Sequence, residues 1–144
     1  IGAHAFYPED YFKTAIHVLQ IEDCHAVGGP LKQEGKNKVS KAIAYCMSSK
    51  FGVGDTEFRT TSEKRYVQSV AFAVYKREVF EKAGLLDEQL VRNQDDEFHY
   101  RLNEKGFRIL MVPEMKSTYF VRDSIAKLFS QYFLDDFYVT FHTI

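Results

Sequence analysis

The chain has 144 residues, of which 45% are hydrophobic, 27% are charged and 15% are aromatic, with no Trp. One domain of this size can bury about 68–70% of the surface that its unfolded chain exposes, so we expect a single domain with a substantial core. The formal net charge of −1 gives no electrostatic case for nucleic acid, which requires a basic face that neutralises phosphates, so nucleic acid is not an expected partner.

Membrane and redox features narrow the class of protein further. The sequence has no run of about 18 apolar residues, so no segment is predicted to span a bilayer. The start, Ile1 to His4, has neither a Met nor a signal-peptide pattern, which suggests a chain that begins inside a longer protein. Cys24 and Cys46 lack CxxC spacing and have apolar neighbours, which favours reduced, buried thiols of a cytosolic protein over a disulfide.

The first third of the chain predicts one helix followed by irregular backbone. Pro8 and the two acids after it open the helix. Residues 28–30, Gly-Gly-Pro, break regular structure and leave the backbone open to close approach by another group. Residues 32–37 are polar, and we expect them to be mobile. The predicted buried stripe of the helix consists of Tyr11, Phe12, Ala15, Ile16 and Leu19.

The middle of the chain predicts a helix, a loop and a strand. Apolar residues at helical spacing predict a second helix from Lys38 to about Ser48. Residues 52–65 have no periodicity and contain two glycines, which indicates a long loop of the kind that is usually functional or disordered. Residues 66–75 are rich in Val, Phe, Ala and Tyr and predict one buried strand.

The last part alternates helices with strands. A short helix begins at residues 76–78 and is closed by Gly84. Residues 108–112 and 117–121 predict two strands, and Asp123-Ser124 caps a last helix. Helices thus alternate with about four strands, which is typical of the α/β class. The predicted apolar face of the last helix consists of Ile125, Leu128, Phe129, Tyr132 and Phe133.

Residues 95–97 are three consecutive carboxylates in the predicted first turn of a helix that Asn93 caps and Gly106 ends. Backbone N–H groups and the helix dipole favour their charged forms there. Two interpretations are open. In the first, the acids cap the helix and match its dipole, and Glu97 pairs with Arg101 one turn later. In the second, one carboxylate points into a cleft and acts as a general base or a metal ligand.

Six patches of sequence occur in the order found in family 2 glycosyltransferases, and the chain resembles the bacterial succinoglycan-type members over nearly its whole length. The resemblance implies an α/β chain with a partial GT-A fold, a mixed sheet flanked by helices. It also implies that residues 1–144 are a single-domain fragment, the C-terminal acceptor-side part, because the family's N-terminal nucleotide-binding half has no counterpart before Ile1. The patches are Ala3-His4-Ala5 and residues 27–30, 51–54, 75–80, 84–88 and 93–102.

The resemblance places a catalytic base at Asp95. Family members carry an acid-Asp pair before a helix and an Arg-Leu pair within it. Counting back from Arg101-Leu102, the Asp position is Asp95, with Gln94 where the acid often stands, and Asp96 and Arg101 in supporting roles. The resemblance implies that Asp95 takes the proton of an acceptor hydroxyl as that hydroxyl attacks the anomeric carbon, with inversion and no covalent intermediate.

The family's metal motif, Asp-x-Asp or Asp-x-His, falls at residues 2–4, where this chain reads Gly-Ala-His and the first Asp is absent. The resemblance implies Mn²⁺ or Mg²⁺ bridging the diphosphate of the donor, with His4 as the remaining protein ligand. The alternative for His4 is an ordinary loop histidine.

Four further residues are expected to contact donor or acceptor. Gly28 and Gly29 allow close approach to the backbone. Arg122 and Ser124 precede the last helix, where related enzymes contact the diphosphate; the alternative for Arg122 is a solvated surface charge. Residues 52–65 match the segment that closes over the donor or acceptor in such enzymes, with plain disorder as the alternative.

The function implied by the resemblance is an inverting glycosyltransferase of bacterial surface or exopolysaccharide synthesis, at the cytoplasmic face of the plasma membrane. It would move a sugar from a nucleotide-diphosphate sugar to a saccharide or lipid-linked saccharide acceptor, and the fragment alone is expected to be inactive. The alternative is a catalytically silent GT-A-like domain that acts in binding or assembly. An uncovered face would allow a homodimer, and the aromatic tail would cover the core, dock on a missing segment or touch a membrane surface. That tail contains Phe133, Phe137, Tyr138 and Phe141.

Overall fold

The structure is a computed structural model that describes residues 5–48, 63–90 and 94–130. These ranges contain four α-helices with assigned first and last residues, and residues 125–130 are also helical. The helices are α1 (Tyr11–Ile21), α2 (Lys38–Ser48), α3 (Arg77–Ala83) and α4 (Gln94–Glu104). The strands are β1 (Ala5–Phe6), β2 (Ala26–Gly28), β3 (Leu31–Glu34), β4 (Arg65–Val67), β5 (Val74–Tyr75), β6 (Ile109–Met111) and β7 (Ser117–Phe120).

The strands form two mixed sheets, which confirms an α/β architecture with mixed sheets flanked by helices. One sheet has the order β4-β6-β2-β5, with β2 parallel to β6 at the centre and antiparallel strands at both edges. The other has the order β1-β7-β3, in which β3 and β7 are parallel. The described strands outnumber the four or so predicted because each is only two to four residues long, too short for a periodic signal.

The single buried strand predicted over residues 66–75 is wrong. The segment contains β4 and β5, which lie at opposite edges of one sheet. The backbone turns between them at Phe72, a non-glycine residue with φ of 55°. Because β4 pairs with β6 and β5 pairs with β2, the chain has to cross the end of the sheet and cannot continue as one strand.

The mobile segment predicted over residues 32–37 is also partly wrong. Its first half belongs to β3, which pairs in parallel with β7 from Leu31 to Glu34. Polar side chains concealed the strand, since its backbone hydrogen bonds do not depend on side-chain polarity. Gln33 is even buried, with 8% of its surface exposed.

The predicted bounds of α2 agree with the structure, but the buried face of α1 differs from the prediction. Tyr11, Ala15, Val18 and Leu19 are buried and pack on the central sheet, whereas Phe12 and Ile16 are 51% and 54% exposed. A helix that packs on one sheet buries only one stripe. In α2, the buried residues are likewise Ser40, Ile43 and Ala44, while Val39 and Ala42 are exposed.

A separate apolar cluster holds α4 against α3. Phe98 and Leu102 are completely buried on one face of α4. The ring of Phe98 stacks on that of Phe80 with centroids 5.4 Å apart. This packing fixes the direction of α4 and therefore the position of its first turn. The cluster consists of Val79, Ala83, Phe98, Leu102 and Phe107, with Tyr75 and Phe80 at its margin.

Candidate functional site

The carboxylates of residues 95–97 lie in the first turn of α4, as predicted. Asp95 and Asp96 are exposed, whereas Phe98 and His99, two and three positions after Asp96, are buried. The buried face anchors the helix, so the two aspartates are presented at a fixed edge of the α3–α4 unit. The predicted cap, Asn93, lies outside the described residues.

Glu97 and Arg101 form the predicted pair one turn apart. Arg101 Nε donates to Glu97 Oε1 over 2.9 Å, and Nη2 donates to Oε2 over 2.6 Å. Nη1 of Arg101 donates to the backbone carbonyls of Ala83 and Leu85 over 2.7 and 3.0 Å. The guanidinium also lies over the Phe98 ring, 5.1 Å from its centroid. These contacts tie α4 to the end of α3.

Gln94 also makes backbone contacts. Its side-chain amide donates to the carbonyls of Leu90 and Asp87 over 2.6 and 3.2 Å. A residue at the family's acid position thus joins the start of α4 to the turn at residues 87–90. Its contacts position the helix start, where Asp95 is the next residue.

Asp96 belongs to a line of hydrogen-bonded side chains at the start of α4. Ser69 Oγ donates to Asp96 Oδ1 over 3.1 Å and lies 3.0 Å from His99 Nδ1. His99 Nε2 lies 2.8 Å from the hydroxyl of Tyr75. The imidazole is 1% exposed. The line therefore runs from the exposed Asp96 carboxylate to the buried imidazole of His99.

Reasoning from the sequence missed Ser69, Tyr75 and His99 as members of this site. His99 stands between the core residues Phe98 and Leu102, and a histidine there is an available signal, since a buried polar side chain needs partners. Its partners lie 24 and 30 residues away along the chain, and no local pattern identifies them.

Burial and charge act in opposite directions on the imidazole. Burial lowers the pKa of His99, and the negative charges of Asp95 and Asp96 oppose that shift. Burial raises the pKa of Tyr75, and the same two carboxylates raise it further. Both aspartates therefore act electrostatically on the Tyr75–His99 pair. At neutral pH the expected state is a neutral phenol and a neutral imidazole.

Gly28 and Gly29 are buried, and their nearest neighbours belong to the same chain. A Cβ on Gly28 would lie 2.8 Å from the Ala71 carbonyl oxygen, and one on Gly29 would lie 2.0 Å from the Met115 carbonyl oxygen. Close backbone approach, predicted from the Gly-Gly-Pro sequence, thus occurs within the fold. Packing alone requires glycine at both positions.

Arg122 and Ser124 lie between β7 and the helical segment 125–130. The backbone N–H of Lys127 donates to Ser124 Oγ over 3.3 Å, which confirms the predicted cap. Arg122 is half-buried. The Asn37 side chain donates to the Asp123 carbonyl over 3.0 Å, so this connection is joined to the start of α2.

The described part of the chain lacks a complete ligand set for Mn²⁺ or Mg²⁺. Within residues 5–48, 63–90 and 94–130, no three His, Cys, Asp or Glu side chains are grouped so that they could hold a metal ion. His4, the ligand inferred from the family motif, lies outside these ranges. The described side chains therefore do not make up a divalent-metal site by themselves.

Other predictions fall wholly or partly outside the described residues. These are most of the 52–65 loop, the aromatic tail after residue 130, and Tyr132 and Phe133 of the last helix. Neither Cys24 nor Cys46 forms a disulfide. Cys24 is buried as predicted, but Cys46 is exposed, because it follows the buried Ile43 and Ala44 on a different face of α2. In the part of the chain that the structure describes, no helix is both long and apolar enough to cross a membrane.

Comparisons with known proteins give two relatives. The chain is 31% identical over 133 residues to the succinoglycan biosynthesis protein ExoA of Rhizobium meliloti, and the match covers 92% of this chain and 40% of that protein. It is 27% identical over 136 residues to a dolichyl N-acetyl-α-D-glucosaminyl phosphate 3-β-D-2,3-diacetamido-2,3-dideoxy-β-D-glucuronosyltransferase of Methanococcus voltae, covering 90% of this chain and 42% of that protein.

No family model matches the chain, and no solved structure matches it either. The chain spans about two fifths of the length of both relatives, 40% and 42%. The two matches nevertheless cover 92% and 90% of this chain. The chain is homologous to these two proteins of glycan biosynthesis, in agreement with its resemblance to family 2 glycosyltransferases.

Proposed function

We propose that the complete protein is an inverting glycosyltransferase in which Asp95 is the general base. It moves a sugar from a nucleotide-diphosphate sugar to a saccharide acceptor, and residues 1–144 supply the acceptor-side part of a GT-A fold. The observation that carries the proposal is the contrast between two adjacent carboxylates. Both are exposed, but Ser69 donates a hydrogen bond to Asp96, whereas no described side chain donates one to Asp95.

The carboxylate of Asp95 is available to accept a proton from an acceptor hydroxyl. Among the described residues, no side chain donates a hydrogen bond to its carboxylate. The backbone of the first turn of α4 holds it in place, and the buried Phe98 and Leu102 fix that turn. A general base must reach the proton that it removes, to within about 2.6–3.2 Å. An exposed carboxylate on a rigid helix start can meet an incoming hydroxyl at that distance.

The chemistry follows from the charge of the group. As the acceptor hydroxyl attacks the anomeric carbon, the Asp95 carboxylate accepts its proton, the new C–O bond forms, and the bond to the nucleotide diphosphate breaks on the opposite face. Negative charge near the reacting carbon also stabilises its oxocarbenium-like character. Gln94 and Arg101 position α4 by the contacts described above and do not touch the reacting atoms.

The acceptor class is inferred from the relatives. The name of the Methanococcus voltae protein specifies a sugar on dolichyl phosphate, which is a lipid-linked saccharide, and ExoA is named for the biosynthesis of an exopolysaccharide. We infer a saccharide acceptor on a lipid carrier, used at the cytoplasmic face of the plasma membrane. Gly28, Gly29, Arg122 and Ser124 remain candidates for contact with donor or acceptor, and the family also implies Mn²⁺ or Mg²⁺.

The test compares two aspartates in the full-length protein. Asp95→Asn should lower kcat by about 10²–10⁴-fold, the usual contribution of a general base, while Asp96→Asn should lower it less. Glu104→Gln, an exposed acid at the other end of the same helix, is the matched control and should leave kcat unchanged. Turnover is measured as sugar released from nucleotide-diphosphate sugar onto a lipid-linked saccharide. Unchanged turnover in Asp95→Asn would remove Asp95 from the mechanism and favour the silent binding domain.

A further inference from the structure

Four side chains form a continuous line of hydrogen bonds between the core and the helix start. The line passes from Tyr75 on β5 through His99 on α4 and Ser69 to Asp96, and its three contacts measure 2.8, 3.0 and 3.1 Å. His99 and Asp96 are three residues apart and so lie on the same side of α4. The line therefore joins a buried imidazole to the carboxylate next to Asp95.

The direction of every hydrogen bond in this line is determined by its outer end. An ionised carboxylate only accepts hydrogen bonds, so the one hydroxyl hydrogen of Ser69 points to Asp96. His99 Nδ1 must then carry a hydrogen and donate to Ser69 Oγ. A neutral imidazole has one N–H, which leaves Nε2 to accept the hydrogen of the Tyr75 hydroxyl. Each group donates to the next, outward from the core.

We propose that His99 is a positioning residue for the catalytic carboxylates, acting as a neutral Nδ1–H imidazole that orients Ser69 and, through it, Asp96. The role rests on the proposed function of Asp95, because a hydrogen-bonded Asp96 leaves the adjacent Asp95 as the carboxylate that accepts the proton. The Ser69 hydrogen bond orients Asp96, and Asp95 remains the carboxylate that no described side chain engages. Without that hydrogen bond, Asp96 would lose a donor that orients it and would compete more strongly with Asp95 for an arriving proton.

The line operates only with an uncharged imidazole. A protonated His99 would donate from both nitrogens, so the Tyr75 hydroxyl would lose its acceptor. The charged and titratable groups that face the imidazole are Asp95 and Asp96 on α4 and Tyr75 on β5. Both acids favour protonation, and burial opposes it more strongly, so the pKa of His99 is lowered. Neutral His99 is therefore the state expected at the pH of the cytoplasm.

The first test is spectroscopic and does not depend on activity. In the full-length protein labelled with ¹⁵N-histidine, two-bond ¹⁵N–¹H correlations should show His99 as the Nδ1–H tautomer at pH 7.5. His25 is the internal control: the backbone N–H of Arg108 donates to its Nδ1 over 3.1 Å, so its neutral form must carry the hydrogen on Nε2. An Nε2–H tautomer or a charged ring at His99 would overturn the proposal.

The second test separates positioning from simple stability. Ser69→Ala removes the link between His99 and Asp96, and we expect kcat to fall about tenfold, near 1.4 kcal/mol, with KM changed less than about twofold. Ser69→Thr keeps the hydroxyl and should restore kcat. Ser69→Ala should also move the His99 hydrogen to Nε2, because only the Tyr75 oxygen remains as an acceptor.

The two proposals fail in different ways. If Asp95→Asn abolishes turnover but Ser69→Ala leaves kcat unchanged, the positioning role is wrong and the base assignment stands. If Asp95→Asn leaves turnover unchanged while His99 is the Nδ1–H tautomer, the hydrogen-bonded line exists but the base assignment, and with it the catalytic purpose of the line, is overturned. Loss of kcat in Ser69→Ala that Ser69→Thr restores, together with the Nδ1–H tautomer, supports the proposal.

Discussion

Arg101 holds Glu97 through two parallel hydrogen bonds, 2.9 Å from Nε to Oε1 and 2.6 Å from Nη2 to Oε2. Its remaining nitrogen donates to the carbonyl of Ala83, the last residue of α3, and to that of Leu85, just after the helix. One side chain thus satisfies four acceptors on two elements. A planar fork of donors is required for this arrangement, and a lysine ammonium does not reproduce it.

Replacing this fork should cost stability. Arg101→Lys should lower the free energy of unfolding by about 1–3 kcal/mol, since the carbonyls at the end of α3 lose a charged donor. The measurement is urea unfolding followed by circular dichroism. The matched control is Arg77→Lys, because Arg77 pairs with Glu81 at the same spacing but is 94% exposed, with a 3.4 Å contact. That variant should lose less than about 0.5 kcal/mol; equal losses in both would contradict the distinction.

Gly29 and Gly106 should respond differently to alanine. At Gly29 the added Cβ meets the Met115 backbone at 2.0 Å, and Gly29→Ala should cost about 3 kcal/mol or more, at or above the upper end of overpacking effects. At Gly106, φ is 75° and the added Cβ meets nothing within 4 Å, so Gly106→Ala should cost only the left-handed backbone strain of about 1–2 kcal/mol.

Substitution by asparagine distinguishes the steric clash at Gly29 from the backbone strain at Gly106. Asn tolerates the left-handed region, so Gly106→Asn should recover most of the loss, whereas Gly29→Asn should be at least as harmful as Gly29→Ala. Thermal unfolding of the four variants measures the difference. A tolerated Gly29→Ala would mean that Met115 moves away without cost.

Stability should fall as the pH drops below about 6.5. Burial lowers the pKa of His99 in the folded chain below its ordinary value of 6.5, so the unfolded chain binds a proton first. Stability from this group is complete above the ordinary pKa and is lost as the pH falls towards the folded pKa, by at most about 1.4 kcal/mol per pH unit. Urea midpoints between pH 8 and pH 5.5 measure the slope.

Substitution of His99 tests whether this residue causes the pH dependence of stability. His99→Gln should flatten it whatever its effect on absolute stability. His25, whose pKa is also lowered by burial but which is only half-buried, should contribute less, so His25→Gln should leave most of the slope in place. An unchanged slope in His99→Gln would show that His99 does not titrate differently on unfolding.

The two thiols should react at different rates. Cys24 is completely buried and burial raises the pKa of its thiol, whereas Cys46 is exposed on α2. A thiol reagent should therefore modify one cysteine quickly in the folded protein and the second only after unfolding. Cys46→Ser should remove the fast phase; a fast phase that persists in that variant would mean that Cys24 is accessible.

Local sequence determined the features that depend on residues within one helical turn. The bounds of α2 agree with its apolar spacing, and Gly84 caps the C-terminal end of α3, as predicted. The carboxylates at the start of α4 and the Glu97–Arg101 pair also agree. Capping, dipole matching and one-turn pairing act between neighbours three or four residues apart, so the chain carries their signals locally.

Tertiary packing decided which elements meet and which groups are buried. It divided residues 66–75 between the two edges of one sheet and converted the polar start of residues 32–37 into β3. It also exposed Phe12 and Ile16, because only one stripe of α1 faces the sheet. Hydrophobicity predicts that a residue prefers burial, but the position of the partner element determines which residues obtain it.

In the candidate site, too, some residues were predicted from local sequence and others were revealed only by the fold. The proposal of Asp95 came from the sequence, because the order of acids, Arg and Leu around it is a local motif. Only the fold revealed the line of Tyr75, His99 and Ser69, whose members are separated by 24 and 30 residues. Hydrogen bonds of that kind depend on which backbones packing brings together, and one-dimensional spacing contains no record of it.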